Sequence, residues 1–139
     1  MKRILLAMVS ITLSFFMLGC QSTDESGAVI KSITGTVAYR ERITLPGDAI
    51  VKVVLEDVSL ADAKATVLAS QTFMPKGQQV PLSFQLDYDV NKVDARHRYN
   101  VRARIEIDGK LRFISDRSFP VITDSKSTHD INLLLVGVR

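Results

Sequence analysis

The chain has 139 residues, with 18 Lys plus Arg against 15 Asp plus Glu and a formal net charge of +3. That length supports one domain, and 46% hydrophobic with 24% charged residues excludes wholesale disorder. A single Cys excludes an intrachain disulfide framework and a Cys-based zinc site.

Residues 1–19 read as a bacterial lipoprotein signal peptide. Lys2 and Arg3 form a positive start, and Ile4 to Leu18 carry no charge. That run is short for a membrane span, which needs roughly 20 apolar residues, but it suits the hydrophobic part of a signal. It ends in Met17-Leu18-Gly19-Cys20, which resembles a lipobox. Cleavage before Cys20 would free the residue whose thiol carries a diacylglycerol, so Cys20 is the expected lipidation site and membrane anchor. One acyl chain holds a protein only marginally, at about 0.8 kcal/mol per buried methylene. The three chains of a mature lipoprotein make residence lasting. Gln21, and not Asp, follows Cys20, the sorting pattern for the outer membrane with the domain facing the periplasm.

Removing Lys2 and Arg3 leaves 16 basic against 15 acidic side chains, a net of +1. Bulk charge therefore gives no argument for nucleic-acid binding. Residues 20–32 comprise the acylated Cys and a flexible tether, polar through Ser22, Thr23, Asp24, Glu25 and Ser26.

Residues 33–139 read as strands. Ile33 to Arg40 opens the set. Ala49 to Leu55 is nearly continuous in apolar and β-branched residues, as an interior strand would be. The preceding Leu45-Pro46-Gly47-Asp48 suits a type II turn with Gly at its third position. Ser59 to Ala65 admits either a loop or a helical turn, and Ala65 to Phe73 is a weaker strand. In the next strand Val80, Leu82, Phe84 and Leu86 alternate with polar residues. Tyr99, Val101, Ala103, Ile105 and Ile107 do the same, giving one buried and one wet face. Asp108-Gly109 between two alternating runs marks a tight hairpin. Pro75 to Gly77 and Thr123 to Thr128 read as loops, and Ile131 to Val136 reads as a second interior strand. Seven or eight short strands at this spacing predict an all-β fold, a single small antiparallel β-sandwich of immunoglobulin or transthyretin type. Tyr99 stands two residues before Val101 after a turn-like segment, the spacing of a tyrosine corner.

Motifs for catalysis are missing. No Gly-x-Ser-x-Gly elbow, His-Glu-x-x-His helix or phosphate-cradling Gly loop occurs. His97 and His129 lack marked partners, so neither an enzyme nor a cofactor is expected. Asp87-Tyr88-Asp89-Val90-Asn91 imitates the start of a calcium loop, but Lys92 stands at its Gly position and Arg98 at its bidentate Glu position. No metal site is expected; Asp89 instead caps a short turn over Val90 to Val93. Arg102 and Arg104 lie on the wet face of one strand, and Arg112 follows the hairpin turn on its neighbour. These three form a candidate face for an anionic ligand or partner, or a solubilising face paired with Glu106, Glu56 or Asp57.

The segments Tyr39-Arg40-Glu41-Arg42-Ile43, Leu45-Pro46 and Leu55-Glu56-Asp57-Val58-Ser59, with Tyr99 to Ile105 and Phe119-Pro120-Val121, carry a family resemblance. Together they resemble the YbaY-like lipoproteins, which are related to the YscW-type pilot lipoproteins of type III secretion. The resemblance implies a β-sandwich on an acylated Cys and, for the YscW branch, a chaperone that helps a secretin reach and assemble in the outer membrane; this chain looks closer to the YbaY branch, whose members have no well-defined activity, and the resemblance carries over no functional residue except Cys20. The expectation is a periplasm-facing lipoprotein that binds an envelope protein client, secretin-like, as a pilot or chaperone. The alternative is a binding module for an anionic envelope glycan or lipid.

Overall fold

The computed structural model describes residues 27–124 and 128–139. Alternation along the chain becomes eight strands: β1 (Ile30–Tyr39), β2 (Ile50–Asp57), β3 (Thr66–Phe73), β4 (Leu82–Asp89), β5 (Tyr99–Ile107), β6 (Lys110–Ser115), β7 (Pro120–Val121) and β8 (Ile131–Gly137). Between β4 and β5, a 3-10 turn spans Val90–Lys92, and the Asp89 carboxylate caps it by accepting the Asn91 N–H at 2.9 Å. The all-β fold read from the sequence is the fold observed.

The strands form one sheet in the order β3-β2-β5-β6-β8-β1-β4, with short β7 pairing β5. The sheet rolls up so that its two outer strands meet. Their seam is closed by a side chain: Gln71 Oε1 on β3 accepts the Gln85 N–H on β4 at 2.8 Å. The architecture is thus closer to a barrel than to two separate layers. One ladder also departs from the expected antiparallel pattern, because β1 and β8 run parallel from Gly35↔Ile131 to Tyr39↔Leu135. Gly35 makes that pairing possible: a Cβ there would stand 2.1 Å from the Ile131 carbonyl oxygen.

Period-two patterning fills the interior. Val51, Val53 and Leu55 meet Leu82, Phe84 and Leu86 from across the roll, and Val101, Ile105 and Phe113 complete the centre; all are buried. Full burial of each Leu, Ile or Phe side chain stabilises the fold by roughly 1.5–3 kcal/mol. Tyr39 stacks on Phe113 with centroids 4.2 Å apart and reaches its hydroxyl to the Ile43 carbonyl at 3.0 Å. Among the described residues, no polar or charged residue is buried.

Turn chemistry shows one success and one shift. Asp108 and Gly109 both take positive φ, 52° and 73°, the backbone of a type I′ hairpin. Gly47 is not among the positive-φ residues, so the type II reading fails. The turn instead closes one residue later, from the Pro46 carbonyl to the Ala49 N–H at 3.1 Å. Glycine serves close approach here: the Gly47 carbonyl accepts the Lys76 N–H, and a Cβ would stand 3.3 Å from the Gly77 nitrogen. Ser59 to Ala65 is a loop without helix.

Tyr99 forms the corner its spacing predicts. Its ring is buried beside Val101, and its hydroxyl accepts the Asp94 N–H at 2.8 Å. That bond ties the β4–β5 connection to the start of β5.

Candidate functional site

The site residues named from the sequence separate in space. Arg102 and Arg104 project from the outer face of β5, flanked by Val54 and Lys52 on β2. They line a shallow pocket of about 190 Å³ together with Glu56 and Ile114. Both guanidinium groups already face carboxylates. Arg104 Nη2 lies 2.5 Å from Glu106 Oε1, and Arg102 Nη1 lies 3.7 Å from Glu56 Oε2. The Glu56 oxygen is buried and has no hydrogen-bond partner, so the nearby guanidinium is its main compensation. An anionic ligand would compete with these internal pairs.

Arg112 does not join them. The β5–β6 ladder shifts register at Ile105/Glu106, and Arg112 falls in the irregular stretch. Its guanidinium sits 5.3 Å from the Phe113 ring centroid and donates from Nη1 to the Val138 carbonyl at 3.3 Å. It braces the end of β8. A bulge of this kind leaves no mark in a hydrophobic pattern, which is why the three arginines read as one row in the sequence.

A second polar cluster lies at the end where the chain enters β1. Asp57 Oδ1 accepts the Ser59 hydroxyl at 2.5 Å and the Ser59 N–H at 2.9 Å. Asp57 Oδ2 stands 2.6 Å from His97 Nδ1. The Ser59 hydroxyl bond holds the Asp57 carboxyl below the usual carboxylate range, with a smaller contribution from His97. The residue types are those of a hydrolytic triad, but the wiring differs. The Ser59 hydroxyl points at the carboxylate, not at the imidazole, and it accepts the Arg98 N–H at 2.8 Å. Among the described residues no Ser59–His97 hydrogen bond, the proton-transfer contact of a triad, occurs. The cluster joins the β2–β3 and β4–β5 loops. Nearby, two Arg96 side-chain bonds hold the Asp94 carboxyl well below the usual range.

The calcium-like segment is likewise spent on structure. Asp87 Oδ1 accepts the Ser32 hydroxyl and the Gln85 amide, at 2.5 and 2.8 Å. No group of three His, Cys, Asp or Glu side chains that could hold a metal ion occurs among the described residues. Cys20 lies outside the described residues.

One exposed feature was not legible from the sequence. Ile131 to Val136 reads as an interior strand, yet Leu134 and Val136 are 44% and 39% exposed. β8 is flanked by strands, but its outer face is bare.

With the geometry in place, three comparisons define its kin. Residues 28–133 match the family described as type III secretion system lipoprotein chaperone, YscW. The chain belongs to the YscW family. A curated relative is the uncharacterized lipoprotein YbaY of Escherichia coli strain K12, 38% identical over 115 residues. That match covers 83% of this chain and 60% of the relative, so the chain spans less than two thirds of YbaY. A solved structure of an alternative pilotin from the type II secretion system of Vibrio cholerae is 59% identical, with a TM-score of 0.77. It covers 80% of this chain and 99% of the pilotin chain. The resemblance to YbaY-like lipoproteins, related to the YscW type, that the Arg40-Glu41-Arg42-Ile43 and Glu56-Asp57-Val58-Ser59 segments carry is borne out by both matches.

Proposed function

We propose that this chain is a non-enzymatic pilot: an outer-membrane lipoprotein, acylated on Cys20 and facing the periplasm, that binds a secretin-type client. The observation that carries this reading is the 59% identity to a type II secretion pilotin over 99% of that protein's chain. Identity at that level spans surface as well as core positions, so it speaks for more than a shared fold. The domain's own chemistry agrees. Its polar clusters are wired into loop closure, as Asp57, Ser59 and His97 illustrate. Ten residues separate Cys20 from the start of β1, a contour length of at most about 35 Å, enough to hold a client near the bilayer. Tethering to one membrane raises the effective concentration of domain and client for each other.

The test is secretin distribution. Deleting the gene should shift the secretin from the outer- to the inner-membrane fraction, and Cys20→Ser should fail to restore it. Unchanged distribution in the deletion strain would refute the reading.

A further inference from the structure

The chain enters the barrel at one pole, and three connections gather there. The Val90 N–H donates to the Val29 carbonyl at 2.9 Å, so the start of β1 lies against the β4–β5 connection. That connection bonds in turn to the β2–β3 loop, through the Val58 N–H to the Arg98 carbonyl at 2.9 Å and through the Asp57–His97 contact. The seam between β3 and β4 adds the start of β3. Counted from the Gln71–Gln85 bond, Val67 and Asp89 lie equally far along their strands, and Asp89 is the partner of Ile30.

This pole holds the barest apolar residues. Among the described residues, the most exposed large hydrophobics are Leu60, Ile30, Val29 and Val67, at 74%, 56%, 53% and 53%. Leu60 belongs to the β2–β3 loop, where Ala61 and Ala63 are exposed as well. The loop is braced beside it: the Ser59 N–H donates to Asp57 and the Ser59 hydroxyl accepts the Arg98 N–H. Apolar surface held out in this way gains by entering an apolar phase. The pole carries charges of both signs, so no net field is invoked. Three of its carboxylates, Asp57, Asp89 and Asp94, accept bonds from Ser59, Asn91 and Arg96, which leaves them less opposed to lipid phosphates than bare anions would be.

Tether length names the occupant. An eight-residue strand such as β2 or β4 is about 26 Å long. A tether of at most about 35 Å would be nearly used up in running that height, so the entry pole is the end that meets the bilayer.

We infer that the entry pole is a membrane-contacting surface, on which Leu60, Val29, Ile30 and Val67 insert among the headgroups of the phospholipid leaflet that holds the acyl chains of Cys20. This rests on the acylation in the pilot reading above and adds an orientation to it. The barrel stands on the leaflet, with the Asp108-Gly109 hairpin at the far pole turned away from lipid. Insertion need reach only about 5–10 Å, the depth at which apolar faces lie in the headgroup boundary.

The test uses the full-length lipoprotein purified from the envelope and reconstituted in vesicles of phosphatidylethanolamine and phosphatidylglycerol. With the Cys20 thiol acylated, as mass spectrometry verifies first, an introduced Leu60→Cys, Ala63→Cys or Met74→Cys takes the fluorophore; Met74 is an exposed residue of the far pole. Phospholipids brominated in the upper part of their chains serve as quenchers. The probe at 60 should be quenched about threefold more than the probe at 74, and Leu60→Asp should lower quenching at 63 about threefold. Leu60 is exposed, so the melting temperature should hold. Quenching at 60 no greater than at 74, or quenching at 63 unmoved by Leu60→Asp, would overturn the inference and leave the anchor and the pilot reading standing. A bare Cys20 thiol in the matured protein would remove the anchor and the inference together.

Discussion

Replacing Tyr99 with Phe isolates one hydrogen bond in the frame that positions β5. The ring is 1% exposed, so Phe keeps the packing against Val101 and removes only the hydroxyl. What is lost is the acceptor for the Asp94 N–H at 2.8 Å, in a part-buried corner where water has limited access. Leaving a backbone donor poorly satisfied there costs about 1–1.5 kcal/mol. For a domain of this size that corresponds to a fall in Tm of about 5–10 °C. The assay is thermal unfolding by circular dichroism, joined to amide exchange at Asp94. Exchange at that amide should accelerate in the variant, while amides in the β2–β5 ladder keep their order of protection. A Tm within about 1 °C of the parent, with Asp94 exchange unchanged, would show that the corner bond does not restrain this connection.

Other consequences follow from the same geometry. Gly35→Ala drives a methyl into the Ile131 carbonyl, 2.1 Å away, so β1 and β8 must part; stability should fall by about 2 kcal/mol or more, and exchange should rise at Val37 and Leu133. Phe113→Ala empties a fully buried site and removes the stack with Tyr39, costing about 3–5 kcal/mol in denaturant unfolding. The Asp57 carboxyl is depressed by its Ser59 bond, so its contribution is present above the unfolded carboxylate pKa of about 4 and is lost as pH falls below it. Acid titration of stability should therefore steepen below about pH 4, and Ser59→Ala should flatten that limb. An identical acid limb in the variant would contradict the assignment.

Much of the fold was legible because strands leave a period-two signature. Val51, Val53 and Leu55 all point inward, as do Tyr99, Val101, Ala103 and Ile105, and their polar alternates point out. Local chemistry was readable at the Asp108-Gly109 turn, the Asp89 cap and the Tyr99 corner, while the turn expected at Leu45 to Asp48 closes one residue later and without the type II backbone. What escaped depends on pairing between distant segments. No local pattern announces that β1 and β8 run parallel, since each would look the same in either direction. The roll that brings Gln71 to Gln85 is a property of the whole sheet, and so is the bulge that turns Arg112 away from Arg102 and Arg104. Leu134 and Val136 misled most. A run rich in Leu and Val has the composition of a strand covered on both faces, but a single sheet rolled on itself has no outer layer, so the outward side chains of β8 stay open to solvent.

The most direct measurement of the account is binding between the purified, full-length lipoprotein in detergent and the purified secretin from the same bacterium, followed by surface-sensing interferometry. The account predicts saturable binding at micromolar concentration or tighter. Absence of saturable binding by the unaltered pair would contradict it.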